Sequence, residues 1–447
     1  MMQQIRLQIS AAAAALLAAT LLSGCGADVL KTATSEASTL TAKPLQGTVM
    51  GGQQPVAGVT LQLYQAGTTG YGSAATPLGP PATTNANGNF NLPAYTCTAG
   101  SQVYIVGTGG QPIAATDTTP AVTNNNLALM SGLGVCGGAG LAGFININEL
   151  TTVATVWALS PFMASPTHIG ASSSNAAGLA EAFAAINQLV TTTNGTTPGP
   201  ALPSGATLPA TEINTLADIL EQCINSGGGV AGDSSNCGNL FNLAPNAAGT
   251  VYPTDTITAA MNIAQNPGRN VSALNRLRSA APVFQPALDV NSPPSAWTIA
   301  ITYTAGGSLN APSSIAADAS GNIWIANKGS SSVTKLDNSG AVLAQTTAGS
   351  LSAPTAIAID AAGNAWVANG NNTVTELNAA ATSGVAYSNN GLSAPASIAV
   401  DGNGNVWVAN STSSAVSAFT STGTALTGSP FSGAGITTPV SVAVTPK

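Results

Sequence analysis

A repeat in the last third of the chain constrains the fold more than any other feature of the sequence. Each unit begins with Ala-Pro, followed by an apolar run that ends in Asp. Gly-Asn comes next, and then a second apolar run that contains a Trp and ends in Asn. The units recur after 42 and 41 residues. The repeated residues are Asp318, Asp360 and Asp401; Trp324, Trp366 and Trp407; and Asn327, Asn369 and Asn410. A period of roughly 40–45 residues with several strands per unit predicts β-propeller blades.

The repeated polar residues have a structural explanation. Each Asp stands before Gly-Asn, between two predicted strands, so we expect the Asp to cap a tight turn and the Gly to adopt a positive φ. The Trp is expected to pack against a neighbouring blade. The Asn is expected to have a structural role, like the Asp. The alternative is a ring of aspartates that binds a cation in a central channel. Recurrence at equivalent turn positions favours the structural explanation.

The number of blades is a difficulty for a closed propeller. Three complete units are present, whereas known propellers usually have about four to eight blades. Residues 297–304 have the pattern of a lone outer strand, and residues 439–444 have the pattern of a lone inner strand. These two strands could pair to form a reduced fourth blade, or an open arc could close as a homodimer. The strand count favours the reduced blade.

The units resemble NHL-type β-propeller repeats and the related blades of streptogramin lyases. The resemblance covers residues 297–447. Streptogramin lyases are expected to use His and a bound metal in the propeller, but residues 297–447 contain no His. The resemblance therefore implies the fold and does not transfer the lyase activity.

The N-terminal residues predict export. A single positive charge at Arg6 precedes an apolar run at 11–22, which suits an export signal and is too short for a membrane span. The run ends in Leu22-Ser23-Gly24-Cys25, which resembles a bacterial lipobox. The resemblance implies a signal peptide over 1–24, acylation of Cys25 and attachment to a membrane. The residue after the cysteine is Gly26. An Asp at this position would favour the inner membrane, so Gly26 favours the outer membrane. The alternative is an export signal that is cleaved without acylation of Cys25.

Four cysteines remain once Cys25 is assigned to lipid. An even number of cysteines in an exported chain predicts disulfides. Three pairings can be drawn among them. We favour Cys97–Cys136 with Cys223–Cys237, because each pair then lies within one compositional segment.

The rest of the chain divides into a flexible tether at 25–43, a β segment at 44–145 and a helical segment at 146–296. Alternating Val59, Leu61 and Leu63 predict a half-buried strand. The Pro-Val-Ala-Gly run beginning at Pro55 and the Asn-Gly-Asn-Phe run ending at Phe90 resemble transthyretin-like, carboxypeptidase-regulatory β-sandwiches. The resemblance implies a spacer module, of which some members bind carbohydrate.

Helical periodicity begins near residue 146, where Asn148 is a good N-cap. Further helices are predicted around 179–190, after Pro209, at 256–264 and at 271–277, and these are expected to pack as a small bundle. The fold class is therefore multidomain and mainly β: a β-sandwich, a small α-helical bundle and propeller-type repeats. This order resembles that of a group of bacterial NHL-repeat lipoproteins.

Composition excludes several functions. Nine Lys and Arg against sixteen Asp and Glu in 447 residues, with a net charge of −7, argue against nucleic acid, because binding to phosphates needs clustered cations. The chain has a single His, His168, which excludes zinc sites that need several His ligands. His168 lies in a predicted loop without a nearby acid or nucleophile.

No other motif predicts catalysis. Glycines 132, 134 and 137 match a dinucleotide fingerprint only as a string, because Cys136 interrupts it and no ribose-binding acid follows. Arg269, Arg276 and Arg278 form a cationic group that could hold an anionic sugar, although pairing with acids at helix ends is favoured. We therefore predict no catalytic, metal or cofactor site.

Two functions remain at this point. The favoured function is a lipid-anchored scaffold of the cell envelope whose repeats bind a glycan or a protein partner. The alternative is a metal-dependent propeller enzyme of the streptogramin lyase or lactonase type.

Overall fold

The computed structural model describes residues 38–112, 121–138 and 143–444. The predicted signal peptide at 1–24 and the predicted lipidation site Cys25 lie outside these ranges. No helix within the described ranges is long and apolar enough to cross a membrane.

Within the described ranges, ten strands come before helix α1. They are β1 Thr39–Ala42, β2 Leu45–Gly51, β3 Gln54–Pro55, β4 Thr60–Gln65, β5 Thr76–Thr83, β6 Asn89–Leu92, β7 Tyr95–Thr98, β8 Gln102–Thr108, β9 Ala128–Val135 and β10 Phe144–Ile147. One antiparallel sheet has the order β5-β4-β8-β9, and a second sheet is built on β2, which pairs with β10, β3 and β6. Leu61 and Leu63, which predicted a half-buried strand, lie buried in β4.

The predicted tether at 25–43 extends too far. Thr39–Ala42 forms β1 and pairs antiparallel with β7, so that Leu40 lies opposite Cys97. Ala42 is buried in the core, and strand pairing satisfies the backbone groups of this segment. Any tether therefore ends before Thr39.

Both disulfides that the sequence favoured are present. Cys97 in β7 bonds with Cys136, which follows β9, and Cys223 bonds with Cys237. The first disulfide ties the β1–β7 pair to the larger sheet. The second closes a short loop between two helices.

The helices fall close to their predicted positions. They are α1 Glu149–Leu159, α2 Ala176–Leu189, α3 Ala210–Ile224, α4 Asn236–Leu243, α5 Thr256–Gln265 and α6 Val271–Asn275. Asn148 is the N-cap of α1, as predicted, and accepts a hydrogen bond from Thr151 N at 3.0 Å. Helix α4 was not predicted, because three of its eight residues are Asn and one is Gly, and both residue types are poor helix formers. Short 3-10 turns and two small antiparallel strand pairs complete this region: the hairpin β11 Met163–Ser165 with β12 His168–Ile169, and the long-range pair β13 Ala206–Thr207 with β14 Thr302–Tyr303.

The helices do not form the separate bundle that the sequence predicted. Helix α1 packs against α2, α3 and α5, and also against strand β9. One continuous hydrophobic core runs from Ala42 in β1 to Trp297, beyond the last helix. The predicted border at 145/146 therefore lies inside a shared core, because α1, α2 and α5 bury apolar residues on strand β9 while α3 packs on α1, and α4 and α6 pack on α3.

The repeats form three four-stranded antiparallel sheets, each with its strands in chain order. The first sheet is β15 Pro312–Ala317, β16 Ile323–Asn327, β17 Ser332–Leu336 and β18 Val342–Thr346; the second is β19 Pro354–Ile359, β20 Ala365–Asn369, β21 Val374–Leu377 and β22 Gly384–Tyr387; the third is β23 Pro395–Val400, β24 Val406–Asn410, β25 Ala415–Phe419 and β26 Phe431–Ser432. The inner strands β15, β19 and β23 lie side by side. The three sheets thus form a propeller-like arc, as the repeat predicted.

The predicted fourth blade is wrong for the described residues. Trp297 is fully buried in the N-terminal core, and β14, which lies within 297–304, pairs with β13 instead of with 439–444. Residues 439–444 lie against the third sheet, where Val442 N donates to Ser397 Oγ at 3.3 Å. The two flanking segments are therefore held at different places, and no closed ring forms within the described chain.

Candidate functional site

The three repeat aspartates each close a turn between the first and second strands of a sheet. Oδ1 of Asp360 accepts hydrogen bonds from the backbone N of Ala362 and Asn364, both at 2.9 Å. Gly363 within the turn has a φ of +83°, which an L-residue adopts only with strain. Asp318 and Asp401 make the same two contacts in their own turns.

The second carboxylate oxygen fixes the repeat tryptophan. Trp324, Trp366 and Trp407 donate from Nε1 to Oδ2 of the aspartate of their own sheet, at 3.1, 3.1 and 2.9 Å. A nearby Asn side chain donates to the same oxygen in each sheet. Both oxygens of every repeat aspartate are therefore engaged in hydrogen bonds within the sheet.

These hydrogen bonds lower the pKa of two of the carboxyl groups. Burial alone would raise the pKa of Asp401, but donation from Trp407, Asn405 and backbone amides lowers it to about 2. The pKa of Asp318 is lowered further for the same reasons, with an added contribution from Lys335, whose Nζ lies 3.2 Å from Oδ2. These aspartates are ionised acceptors at neutral pH.

The repeat asparagines are fully buried and link the strands to the preceding loop. Nδ2 of Asn369 donates to Thr375 Oγ1 at 2.9 Å, and Oδ1 accepts from Ser352 N at 3.2 Å. Asn327 and Asn410 make the equivalent contacts with residues of their own sheets. The repeated Asp and Asn side chains therefore stabilise the turns and loops of their own sheets by hydrogen bonds.

The repeat tryptophans differ in exposure along the arc. Trp324 and Trp366 are fully buried; Lys335 Nζ lies 4.5 Å from the ring centroid of Trp324, and Trp366 stacks on Tyr387 with 5.7 Å between ring centroids. Trp407 stacks on Phe431, also at 5.7 Å, but stays partly exposed. The difference arises because no sheet in the described chain follows the third one.

A cleft of about 310 Å³ lies where α2 approaches the first sheet. Its lining includes Trp157 from α1, Glu181 and Gln188 from α2, Tyr303 from β14, and Asn338 from the turn before β18. Its apolar surface comes from Ile299, Ile301 and alanines of α2. A concave site that combines aromatic rings with a few converging polar groups is typical of a small-molecule site.

Gln188 links helix α2 to the first sheet and to β14 beside this cleft. It is buried, its Nε2 donates to Ser339 O at 3.3 Å, and its Oε1 accepts from Tyr303 Oη at 2.8 Å. The Tyr303 ring in turn covers Gly340, where a Cβ would have no room. The first sheet, β14 and α2 are therefore held at a fixed spacing around the cleft.

Two carboxylate or amide side chains and one ring at the cleft are accessible to a ligand from solvent. Glu181 and Asn338 are exposed, and Trp157 is partly exposed with its Nε1 donating to Trp297 O at 2.9 Å. No local sequence motif predicts this site, because its residues come from positions between 157 and 339.

The N-terminal core contains buried carboxylates that no sequence pattern predicted. Glu149, the first residue of α1, is fully buried and accepts from Gly52 N at 2.8 Å through Oε1, while Oε2 has no hydrogen-bond partner among the described residues. Burial raises the pKa of Glu149 to about 8. The nearby Glu221 and Asp218 carboxylates raise this pKa further, whereas hydrogen bonds from backbone amides lower it in part. Burial likewise raises the pKa of Asp218 to about 6.

The other residues singled out in the sequence have local contacts. His168 in β12 is exposed, and its Nδ1 lies 3.0 Å from Ser165 Oγ. Arg269 donates to the backbone carbonyl oxygens of Asn246 and Ala247 instead of to an acid. Arg278 donates to Leu288 O, and its charge also acts on the Asp218 carboxylate, whose pKa it lowers. Gly132 and Gly134 lie within strand β9, which does not suit a phosphate-binding turn. Among the described residues, no three His, Cys, Asp or Glu side chains converge as metal ligands would.

Comparison with solved structures finds repeat proteins of low similarity. A streptogramin B lyase is 20% identical, with a TM-score of 0.24, over 26% of this chain and 40% of that one. A catalytically inactive virginiamycin B lyase from Staphylococcus aureus, solved with quinupristin, is 15% identical, with a TM-score of 0.29, over 33% of this chain and 49% of that one. A chain of a nidogen/laminin complex is 17% identical, with a TM-score of 0.26, over 32% of this chain and 58% of that one.

The chain therefore spans between 40% and 58% of these proteins. At such identities and TM-scores the matches carry no argument about activity, and the propeller-like arrangement rests on the strand order and packing described above. No protein-family profile and no curated protein matches the chain.

Proposed function

We propose that this chain is an exported binding protein that holds a glycan in the cleft between α2 and the first sheet. The observation that carries the proposal is the lining of the cleft, where Trp157 and Tyr303 provide ring surface beside the polar groups of Glu181 and Asn338. A sugar ring has apolar C–H faces and a rim of hydroxyl groups, which this combination of aromatic and hydrogen-bonding side chains suits. The volume of about 310 Å³ is at the lower end for small-molecule sites and suits one or two sugar rings.

Binding is favoured over carboxylate-assisted metal chemistry because of the way in which the repeats use their aspartates. The alternative enzyme would need Asp318, Asp360 and Asp401 to offer oxygens to a divalent ion. Each of these oxygens already accepts a hydrogen bond from a backbone amide, an Asn side chain or a Trp ring. Coordination of a metal would require the turns to give up these contacts.

The glycan proposal is tested with the chain from residue 26 to 447 and a panel of envelope glycans. A glycan at about 100 times its dissociation constant should stabilise the protein by about 2.7 kcal/mol in thermal unfolding. The double variant Glu181→Ala/Asn338→Ala should weaken the binding by roughly tenfold or more, since each lost hydrogen bond is worth about 1 kcal/mol. Asn187→Ala is the matched control, because Asn187 is exposed on the same helix and does not line the cleft.

Two outcomes would contradict the proposal. One is a panel in which no glycan stabilises the protein. The other is equal weakening by Asn187→Ala and by the cleft variant. Stabilisation by a divalent metal that is lost in Asp360→Asn would instead support the enzyme alternative.

Attachment to the cell envelope through Cys25 is a second part of the proposal. Its support is the lipobox resemblance at 22–25 and the two disulfides, which favour an oxidising compartment outside the cytoplasm. The full chain expressed in bacteria should incorporate labelled palmitate and sediment with the outer membrane, whereas Cys25→Ser should remain unlabelled. Equal labelling of both chains would contradict the anchor.

A further inference from the structure

Neighbouring sheets of the arc meet through one recurring interface. We call the side of a sheet that faces the preceding sheet its leading face, and the side that faces the next sheet its trailing face. On the trailing face of the first sheet, Ser313 Oγ donates to Pro354 O at 2.7 Å, and Ser314 Oγ accepts from Ile357 N at 3.2 Å. Thr355 repeats the first contact with Pro395 O, also at 2.7 Å. The inner strands are thus held in a fixed register.

The same interface buries apolar side chains. Ile357 and Ile398, on the leading faces of the second and third sheets, are 6% and 7% exposed. They pack in clusters with Trp324 and Trp366, which come from the trailing faces of the preceding sheets. A leading-face Ile and a trailing-face Trp therefore recur as partners.

The leading face of the first sheet carries the same side chain, and no sheet of the described chain packs on it there. Ile315 is the repeat equivalent of Ile357 and is 66% exposed. It lines a groove of about 350 Å³ with Leu309, Pro312, Ser313, Ser314 and Ile325. This groove is one half of the interface between sheets, left open to solvent.

The segment after the third sheet carries the other half. Thr438 has a φ of +43°, like Ala353 at the start of the second sheet, which also has a φ of +43°. Thr438 N donates to Ser414 Oγ as Ala353 N donates to Ser331 Oγ, and Val442 N donates to Ser397 Oγ as Ile357 N donates to Ser314 Oγ. Residues 439–444 therefore lie in the position of a fourth inner strand.

The outer side of this strand is open. Val440 is 72% exposed and Ser441 is exposed. By repeat register, Ser441 corresponds to Ser314 and Ser397, whose hydroxyl groups accept from the next inner strand. The strand thus presents the trailing half of the recurring interface.

We propose that two copies of this chain associate head to tail, with residues 439–444 of one copy against the leading face of the first sheet of the other. The register places Ser441 of one copy beside Ile315 of the other, as Ser314 lies beside Ile357 within the chain. A second copy is the fitting occupant, because one chain carries both complementary halves and already joins them between its own sheets. Such a heterologous contact closes into a ring if the rotation allows and otherwise continues as an open chain. The proposal does not depend on the glycan.

The mass of the chain 26–447 in solution tests the association. Light scattering over a range of protein concentrations should give dimers or longer assemblies. Ile315→Asp should raise the dissociation constant by roughly tenfold or more, because it places a charge in the apolar contact. Val385→Asp is the matched control, since Val385 is 57% exposed on outer strand β22 and should leave the mass unchanged.

Cross-linking fixes the register. Differently tagged chains carrying Ile315→Cys and Ser441→Cys, mixed under mild oxidation, should form a mixed disulfide-linked pair. Val385→Cys mixed with Ser441→Cys should not form one. A monomer at every concentration, or cross-linking that is equal for the two mixtures, would overturn the proposal.

Discussion

The Glu149→Gln variant is expected to be more stable than the unchanged protein at pH 7, by about 3 kcal/mol. Glu149 is fully buried, and its pKa is raised from 4.5 to about 8. Between these values the folded state keeps a proton that the unfolded state releases, so the stability is greatest at low pH and falls as the pH rises from 4.5 to 8. Gln keeps the oxygen that accepts from Gly52 N and never has to be protonated.

Urea denaturation between pH 4 and pH 9 separates Glu149 from its neighbour. Asp218 has a pKa raised from 3.8 to about 6, so both proteins should lose stability in that lower range. Only the unchanged protein should continue to lose stability between pH 6 and pH 8. Glu181→Gln, which changes an exposed glutamate, is the control and should follow the unchanged protein. Parallel curves for Glu149→Gln and the unchanged protein above pH 6 would disprove the assignment.

The Trp366→Ala variant is expected to lose about 3–5 kcal/mol of stability. Trp366 is fully buried between the second and third sheets, stacks on Tyr387 and donates to Asp360 Oδ2. Its removal leaves a cavity and an acceptor that has lost one of its donors. Because these contacts join two sheets, the loss should extend to both of them.

Trp407→Ala is the matched comparison, with the same substitution at the equivalent position of the third sheet. Trp407 is partly exposed and packs on Phe431, which is itself 36% exposed, so the cost should be about 1–2 kcal/mol. Hydrogen exchange should show that Trp366→Ala lowers the protection of the second and third sheets while the N-terminal core stays protected. Equal costs for the two variants would mean that burial between sheets does not set the stability of the arc.

The arc could be predicted from the sequence because each unit repeats the same residues at the same spacing. Asp, Gly, Trp and Asn recur with one period, and the sheets they predict are local, so each unit can be recognised without knowing its neighbours. The helices were also visible, since apolar residues such as Leu216 and Leu220 recur at helical spacing, and Asn148 marks the start of α1.

The sequence did not reveal which surfaces would share a core. Residues 297–304 alternate like a strand, but this periodicity does not show which strand or core the segment packs against. In the structure Trp297 packs into the N-terminal core. Glu149 follows an N-cap, where an acid ordinarily faces solvent and the helix dipole. Its burial depends on the loop at Gly52, 97 residues away. The cleft escaped prediction for the same reason, because Trp157 and Asn338 meet only through the packing of α2 on the first sheet.

In evolutionary terms, a new unit within the chain is easier to add after the third sheet than before the first. Its first sheet follows Trp297 and β14, which are fixed to the N-terminal core and to β13, so an additional unit inserted there would have to displace this packing. After the third sheet, residues 439–444 already lie as the first strand of another unit. A duplicated unit added at that point would meet a matching face and disturb nothing before it. Gain and loss of repeats in such a chain would therefore proceed from the C-terminal side, with the cleft and the N-terminal core left unchanged.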